Sequence, residues 1–220
     1  MRRPIVKVLT LGKLHYRKSL ELQKTLSTQQ IESFNDFRNY LILNEHNPVY
    51  TIGIRRNSYS HEEREKLRNV GAEFYETNRG GLITFHGPGQ LVAYPIIHLK
   101  QFQPSMRWYV RQLETTIIDL CQMFNLSAKT TSDTGIWIGE NKICAIGIHG
   151  KRYVTTHGIG LNCNTDLKWF DHIVPCGIEG KGVTSLSKEL NKNVSVAETI
   201  PLFLNSFSKN FNCSLEFLKI

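Results

Sequence analysis

Met106, Val110, Leu113, Ile117, Leu120 and Phe124 recur at intervals of three and four residues, the period of a helix that buries one stripe. Ser105 precedes the run and can cap it. Val196, Ile200, Phe203, Leu204, Phe207 and Phe211 repeat the pattern near the C-terminus. Pro201 falls inside that run, so the helix either kinks there or starts nearer Thr199. Ser60 and Glu63 have capping-box spacing and Gly71 suits a helix stop, which predicts a short helix over 61–70. A further helix is expected from Tyr16 to about Gln30. IVKVLTLG (5–12), FRNYLILNE (37–45) and PVYTIG (48–53) read as strands, the last two around an Asn47-Pro48 turn. GQLVAYPIIHL (89–99) reads as a buried strand, with Pro95 arguing for an edge or a bulge. GIWIG, KICAIGIHG and RYVTTHGIGLN, broken at Glu140-Asn141 and Gly150-Lys151, predict an antiparallel meander over 135–162. Strands on both sides of a long central helix indicate an α+β fold of mixed α/β layers. No repeat or linker interrupts it, so one domain is expected over 1–220.

Composition changes this picture little. Forty per cent hydrophobic and 21% charged residues over 220 positions are ordinary for a globular chain. No apolar run approaches the roughly 18 residues of a membrane helix. The net charge of +8 favours acidic partners. The basic residues are scattered, and no zinc finger, aromatic RNA-binding signature or long basic run accompanies them, so nucleic acid is not expected. Five cysteines at 121, 144, 163, 176 and 213 form no C-x-x-C pair, which argues against a zinc or redox site and for free thiols. The first twenty residues hold six Lys or Arg and no acid. That charge resembles a mitochondrial presequence, although IVKVLTLG also reads as part of the fold.

The candidate chemistry lies in four glycine-rich stretches. RGGLITFHGPGQ (79–90) holds four glycines around the apolar LITF, with Arg79 and His86 at its ends. It lacks the ending of a phosphate loop and is not a nucleophile elbow. On a strand, Ala145 and Gly147 of AIGI face one way, and so do Gly158 and Gly160 of HGIGLN. Three strands that thin out their side chains can line a narrow slot, better suited to an extended acyl chain than to a sugar or nucleotide. In IVPCGIEGKGVTSL (173–186), Cys176 lies between Pro175 and Gly177 in a loop, a better nucleophile candidate than Cys121 on a core stripe or Cys144 and Cys163 on strands. A neighbouring cation would raise its thiolate fraction, and His86, His149, His157 and His172 are available, as is Lys142.

RGGLITFHGPGQLVAYP, GIWIGENKICAIGI, THGIGLN and PCGIEGKGVTSL, in this order, resemble the lipoyl(octanoyl) transferase family over about residues 35–210. LNCNTDLKWFDHIVPCGIEGKGVTSLSKEL looks most like its mitochondrial, animal-type members. The resemblance implies a catalytic domain like that of biotin and lipoate protein ligases. It implies transfer of an octanoyl group from the phosphopantetheine arm of acyl carrier protein to an enzyme cysteine. The group then passes to a lysine ε-amine of a lipoyl domain or of glycine-cleavage H protein, with no cofactor. An ATP-dependent lipoate or biotin ligase is the alternative on the same fold. Carried over by motif, Cys176 is the nucleophile and Lys142 the residue that lowers its pKa. Arg79, Gly80, Gly81, Leu82, Ile83, Thr84, Phe85 and His86, with Ala145, Ile146, Gly147, Gly158, Ile159 and Gly160, would line the octanoyl site. Two points sit awkwardly. Alternation puts Lys142 on the face opposite Ala145 and Gly147, so a bulge or the strand start must bring it round. Gly160 stands where many members have alanine, which suggests a looser wall.

Overall fold

The computed structural model describes residues 3–33, 37–55, 60–173 and 181–218. The chain runs β1 (Ile5–Leu14), α1 (Tyr16–Glu32), β2 (Asn39–His46), β3 (Val49–Ile52), α2 (His61–Asn69), β4 (Glu73–Glu76), β5 (Ile83–His86), β6 (Gln90–Ile96), α3 (Met106–Met123), β7 (Ile136–Ile138), β8 (Asn141–Lys151), β9 (Val154–Asn162), β10 (Gly182–Val183), α4 (Leu186–Leu190), α5 (Val196–Phe211) and β11 (Ser214–Phe217). Among the described residues these strands form an eight-stranded sheet in the order β10-β8-β9-β6-β2-β1-β11, with β7 on β8, and a three-stranded sheet, β4-β3-β5. Both parallel and antiparallel pairs occur, so the α+β expectation of mixed layers holds.

Helices cover both faces of the large sheet. Leu41, Leu43, Leu91 and Ala93 pack into the core built with α3 and α5, while Ile42, Val92, Tyr94 and Ile96 face Leu26 of α1. Alternate residues of the same strand are thus buried in opposite directions, which is why β6 reads as one unbroken apolar run. Phe203, Phe207 and Phe211 line the inner face of α5, the last two with ring centroids 4.2 Å apart. Each phenyl stabilises the fold by about 1.5–3 kcal/mol through burial.

Pro95 is not at an edge, because β6 lies between β2 and β9. Its pairing with β9 runs from Gln90↔Asn162 to Ala93↔Ile159 and resumes at the His98↔Val154 bridge in unchanged register. Pro95, with no N–H to offer, occupies the gap. There the Thr155 hydroxyl donates to the Pro95 carbonyl (2.7 Å) and accepts from the Ile97 N–H (3.1 Å).

The meander forms with its turns displaced. The first uses Gly139 and Glu140, not Glu140-Asn141, and the second uses Arg152 and Tyr153, not Gly150-Lys151. Arg152 and Tyr153 have φ of 48° and 67°, as a two-residue hairpin turn requires if its twist is to match the strands. Helix α5 starts at Val196 under a Ser195–Glu198 capping box, not near Thr199. Pro201 is tolerated within it because the carbonyl it leaves without a partner, that of Ala197, lies on the exposed side. No described helix is long and apolar enough to cross a membrane.

Candidate active site

The three-stranded sheet has its own core of Tyr50, Ile52, Ile83, Phe85 and Phe170. It meets the large sheet through the loop before β5, where the Gly80 N–H donates to the Ile148 carbonyl of β8 (2.9 Å). Between the sheets lies a cavity of about 340 Å³, at the lower end of the roughly 300–1,000 Å³ range of small-ligand clefts. Twelve of the fourteen residues named for the octanoyl site are in its wall. The exceptions are Ile83 and Phe85, which alternate away into the small sheet's own core, where Phe85 stacks on Trp169 at 5.0 Å.

Glycine is required by close contacts here. A Cβ on Gly147 would lie 2.9 Å from Arg79 Cδ, and one on Gly158 only 2.0 Å from the Ala93 carbonyl oxygen. At Gly160 a Cβ would lie 2.8 Å from Gln90 Oε1 and 3.2 Å from His86 Cε1. The wall there is therefore not loose: the Gln90 amide fills the space. Gln90 is fixed by bonds to His86 Nδ1 (2.6 Å), the Phe85 carbonyl (3.2 Å) and Asn162 Oδ1 (2.8 Å). Arg79 is buried, its guanidinium donating to the Thr51 carbonyl (2.5 Å), the Thr51 hydroxyl (2.9 Å) and the Gly80 carbonyl (3.0 Å).

Tyr16 and Tyr94 also line the cavity, which the sequence reading missed. They join His86 and His46 in a buried aromatic cluster, in which Tyr94 Oη lies 2.8 Å from His46 Nε2. Burial pushes the Tyr16 phenol up to about 12. Burial holds His46 down at about 4, and burial with neighbouring charge holds His86 and His157 at about 3. These imidazoles are neutral, so His86 and His157 are not cations for a thiolate.

A stability consequence follows from these values. The three folded pKa values lie below the ordinary 6.5, so the unfolded chain binds more protons between them. Stability is full above about 6.5 and declines as pH falls through that window. The melting temperature, followed by circular dichroism, is expected to drop between about pH 6.5 and 4. A flat profile there would contradict neutral buried rings.

Lys142 opens β8. Its side chain is 5% exposed, and Nζ has no hydrogen-bond partner among the described residues. It lies 4.7 Å from the centroid of the Trp137 ring. The awkward alternation is resolved by a bulge. Ile136 pairs with Cys144 but Trp137 with Lys142, so Ile143 is one residue extra on β8. Ile143 and Cys144 both enter the α3–α5 core, and Lys142 turns to the face of Ala145 and Gly147. Lys142 does not line the cavity itself, whereas Asp133, beside the same indole, does.

Cys176 lies outside the described residues. The chain resumes at Lys181, and Gly182–Val183 pair in parallel with Asn141–Lys142. Gly182 and Val183, six and seven residues after Cys176 in sequence, are thus tied to the strand carrying Lys142. The other four cysteines are buried, and burial pushes Cys121 and Cys213 up to about 12, Cys163 up to about 11 and Cys144 well above its usual value. None of these four is poised to ionise.

Residues 15–208 match the lipoyl protein ligase A/B catalytic domain. The chain is 54% identical to the mitochondrial octanoyl-[acyl-carrier-protein]:protein N-octanoyltransferase LIPT2 of Danio rerio, over 96% of this chain and 95% of that one. It is 43% identical to the protein of that name from Homo sapiens, over 98% and 97%. Among solved structures, lipoate-protein ligase A bound with ATP shares the fold with a TM-score of 0.74 at 14% identity, covering all of this chain and 90% of that one. A match across nearly the whole length, on top of the two-sheet cavity and the motifs that wall it, makes this chain a member of the lipoyl protein ligase A/B catalytic domain family.

Proposed function

We propose that the chain carries an octanoyl group from acyl carrier protein to lysines of lipoyl domains and glycine-cleavage H protein, through a thioester on Cys176. Octanoyl transfer and the mitochondrial setting accord with relatives 43–54% identical that carry both in their names. The net charge of +8 favours acidic protein partners.

The observation that carries the thioester step is the buried Lys142 side chain, whose Nζ has no hydrogen-bond partner among the described residues. A desolvated cation calls for an anion, and Gly182–Val183, a few residues after Cys176 in sequence, pair with its strand. In the first step the Cys176 thiolate, stabilised by Lys142, attacks the donor carbonyl. A new carbon–sulfur bond forms, the donor's breaks, and the carrier sulfur leaves as a thiol with a proton given up by the Lys142 ammonium, which is left neutral. In the second step the acceptor amine attacks the enzyme thioester, a carbon–nitrogen bond forms, and the cysteine sulfur leaves. Neutral Lys142 takes the amine proton and returns it to the sulfur. Amide formation from a thioester is downhill, so no ATP is consumed. The glycine-walled cavity holds the extended chain, with neutral phenols and imidazoles around it.

Intact-mass analysis after incubation with octanoyl-acyl carrier protein tests this. One octanoyl adduct is expected, mapped to Cys176 by peptide digestion and discharged on addition of apo-H protein. An unmodified chain that nevertheless transfers octanoate would reject the thioester. Incorporation of free octanoate only with ATP would establish ligase chemistry instead.

A further inference from the structure

We propose that Trp137 is a positioning residue that holds the Lys142 ammonium in place through the face of its indole, while Asp133 neutralises the competing cation, Lys181. The inference rests on the thioester reading above. Trp137 is 1% exposed, and its indole N–H donates to the Asp133 carbonyl oxygen (3.1 Å), which fixes the ring. Two ammonium groups lie on it: Lys142 at 4.7 Å and Lys181 at 4.9 Å from the centroid. Both are within the roughly 6 Å at which a ring quadrupole attracts a cation.

The two lysines differ in every other contact. Lys181 Nζ donates to the Asp133 carboxylate (3.1 Å), with Glu140 a further 3.9 Å neighbour. Lys142 Nζ has no acceptor among the described residues. Its stem is confined as well: a Cβ on Gly135, which has φ 125°, would lie 3.1 Å from Lys142 Cε. Glycine thus leaves a channel just wide enough for the stem, and the chain runs from it to the ring. The network divides the roles. One lysine is quenched by a carboxylate, and the other has no carboxylate beside it among the described residues. Trp137 is not in the cavity wall and acts through Lys142.

The test compares Trp137→Leu, which removes the ring face, with Trp137→Phe, which keeps one. The expected result is kcat for octanoyl transfer down about thirtyfold in the Leu variant, equivalent to ~2 kcal/mol for a desolvated contact at ~1.4 kcal/mol per decade. KM for octanoyl-acyl carrier protein stays unchanged, and the Phe variant recovers most of the rate. If the Leu variant does not fold, fluorinated tryptophans decide, because they withdraw ring electron density with little change of shape. The rate then falls stepwise with fluorination, and the same incorporation into Trp137→Phe has no effect. Equal rates for Leu and Phe, a loss confined to KM, or indifference to fluorination would overturn the role of the ring. Cys176→Ala, assayed alongside, separates the two readings: full activity there removes the thioester itself, whatever Trp137 does.

Discussion

Replacing Lys142 with methionine lowers octanoyl transfer by roughly 10²–10³, within the range a positioned acid–base group contributes, and leaves the melting temperature equal or higher. The two halves of this result have one cause. Methionine keeps the length and apolar stem that fill the space beside Gly135, and it removes the ammonium that has no hydrogen-bond acceptor among the described residues. A charge buried against an indole face without a hydrogen-bond acceptor still costs the fold its desolvation, and replacing buried charge by well-packed apolar atoms is often neutral or stabilising. A structural lysine behaves in the opposite way, losing stability first and activity as a consequence. Steady-state rates with octanoyl-acyl carrier protein and a thermal melt on the same sample check it. A rate within tenfold of the parent, or a clear fall in melting temperature, would remove Lys142 from the reaction.

The second large effect is steric. Gly158→Ala is expected to destabilise the chain by about 3 kcal/mol or more, because the added methyl meets backbone that cannot rotate away. Its carbon would lie 2.0 Å from the Ala93 carbonyl oxygen and 2.9 Å from Pro95 Cδ. Overpacking of this kind forces the β6–β9 seam apart where its pairing already lapses around Pro95. For a chain of this size that corresponds to a fall of roughly 10 °C in melting temperature. Gly80→Ala is the control, since a Cβ there finds only the Ile148 carbonyl oxygen at 3.6 Å, an ordinary contact. Similar melting temperatures for the two variants would show that the strand relaxes and that the glycine at 158 is dispensable to folding.

Much of this architecture can be read from periodicity, because apolar side chains at fixed intervals leave a mark in the sequence. Helix α3 and the three meander strands appear where expected, with turns one or two residues away. Helix α1 is harder to read. Its buried face includes Ser19, Gln23 and Gln30, and Gln30 Nε2 donates to the Ile96 carbonyl (2.7 Å) while Gln23 Oε1 accepts from the His157 N–H (2.8 Å). Polar residues satisfied by backbone far along the chain look exposed in any local pattern. The cavity wall was legible through its glycines, whereas Tyr16 and Tyr94 looked like ordinary core aromatics. Trp137 was hidden for a third reason: its significance lies in two lysines, one five and one forty-four positions away.

The single additional residue at Ile143 makes strand length, not only composition, a determinant of chemistry. Substituting that isoleucine by another aliphatic would preserve the register. Deleting it would remove the bulge and set the lysine two residues before Ala145, on the same face by plain alternation, so the present Lys142–Ala145 spacing depends on the bulge to keep the lysine at the indole. Among relatives of this chain, an odd change of length between the lysine and the small-residue pair would therefore keep the lysine on this face only together with the gain or loss of a bulge.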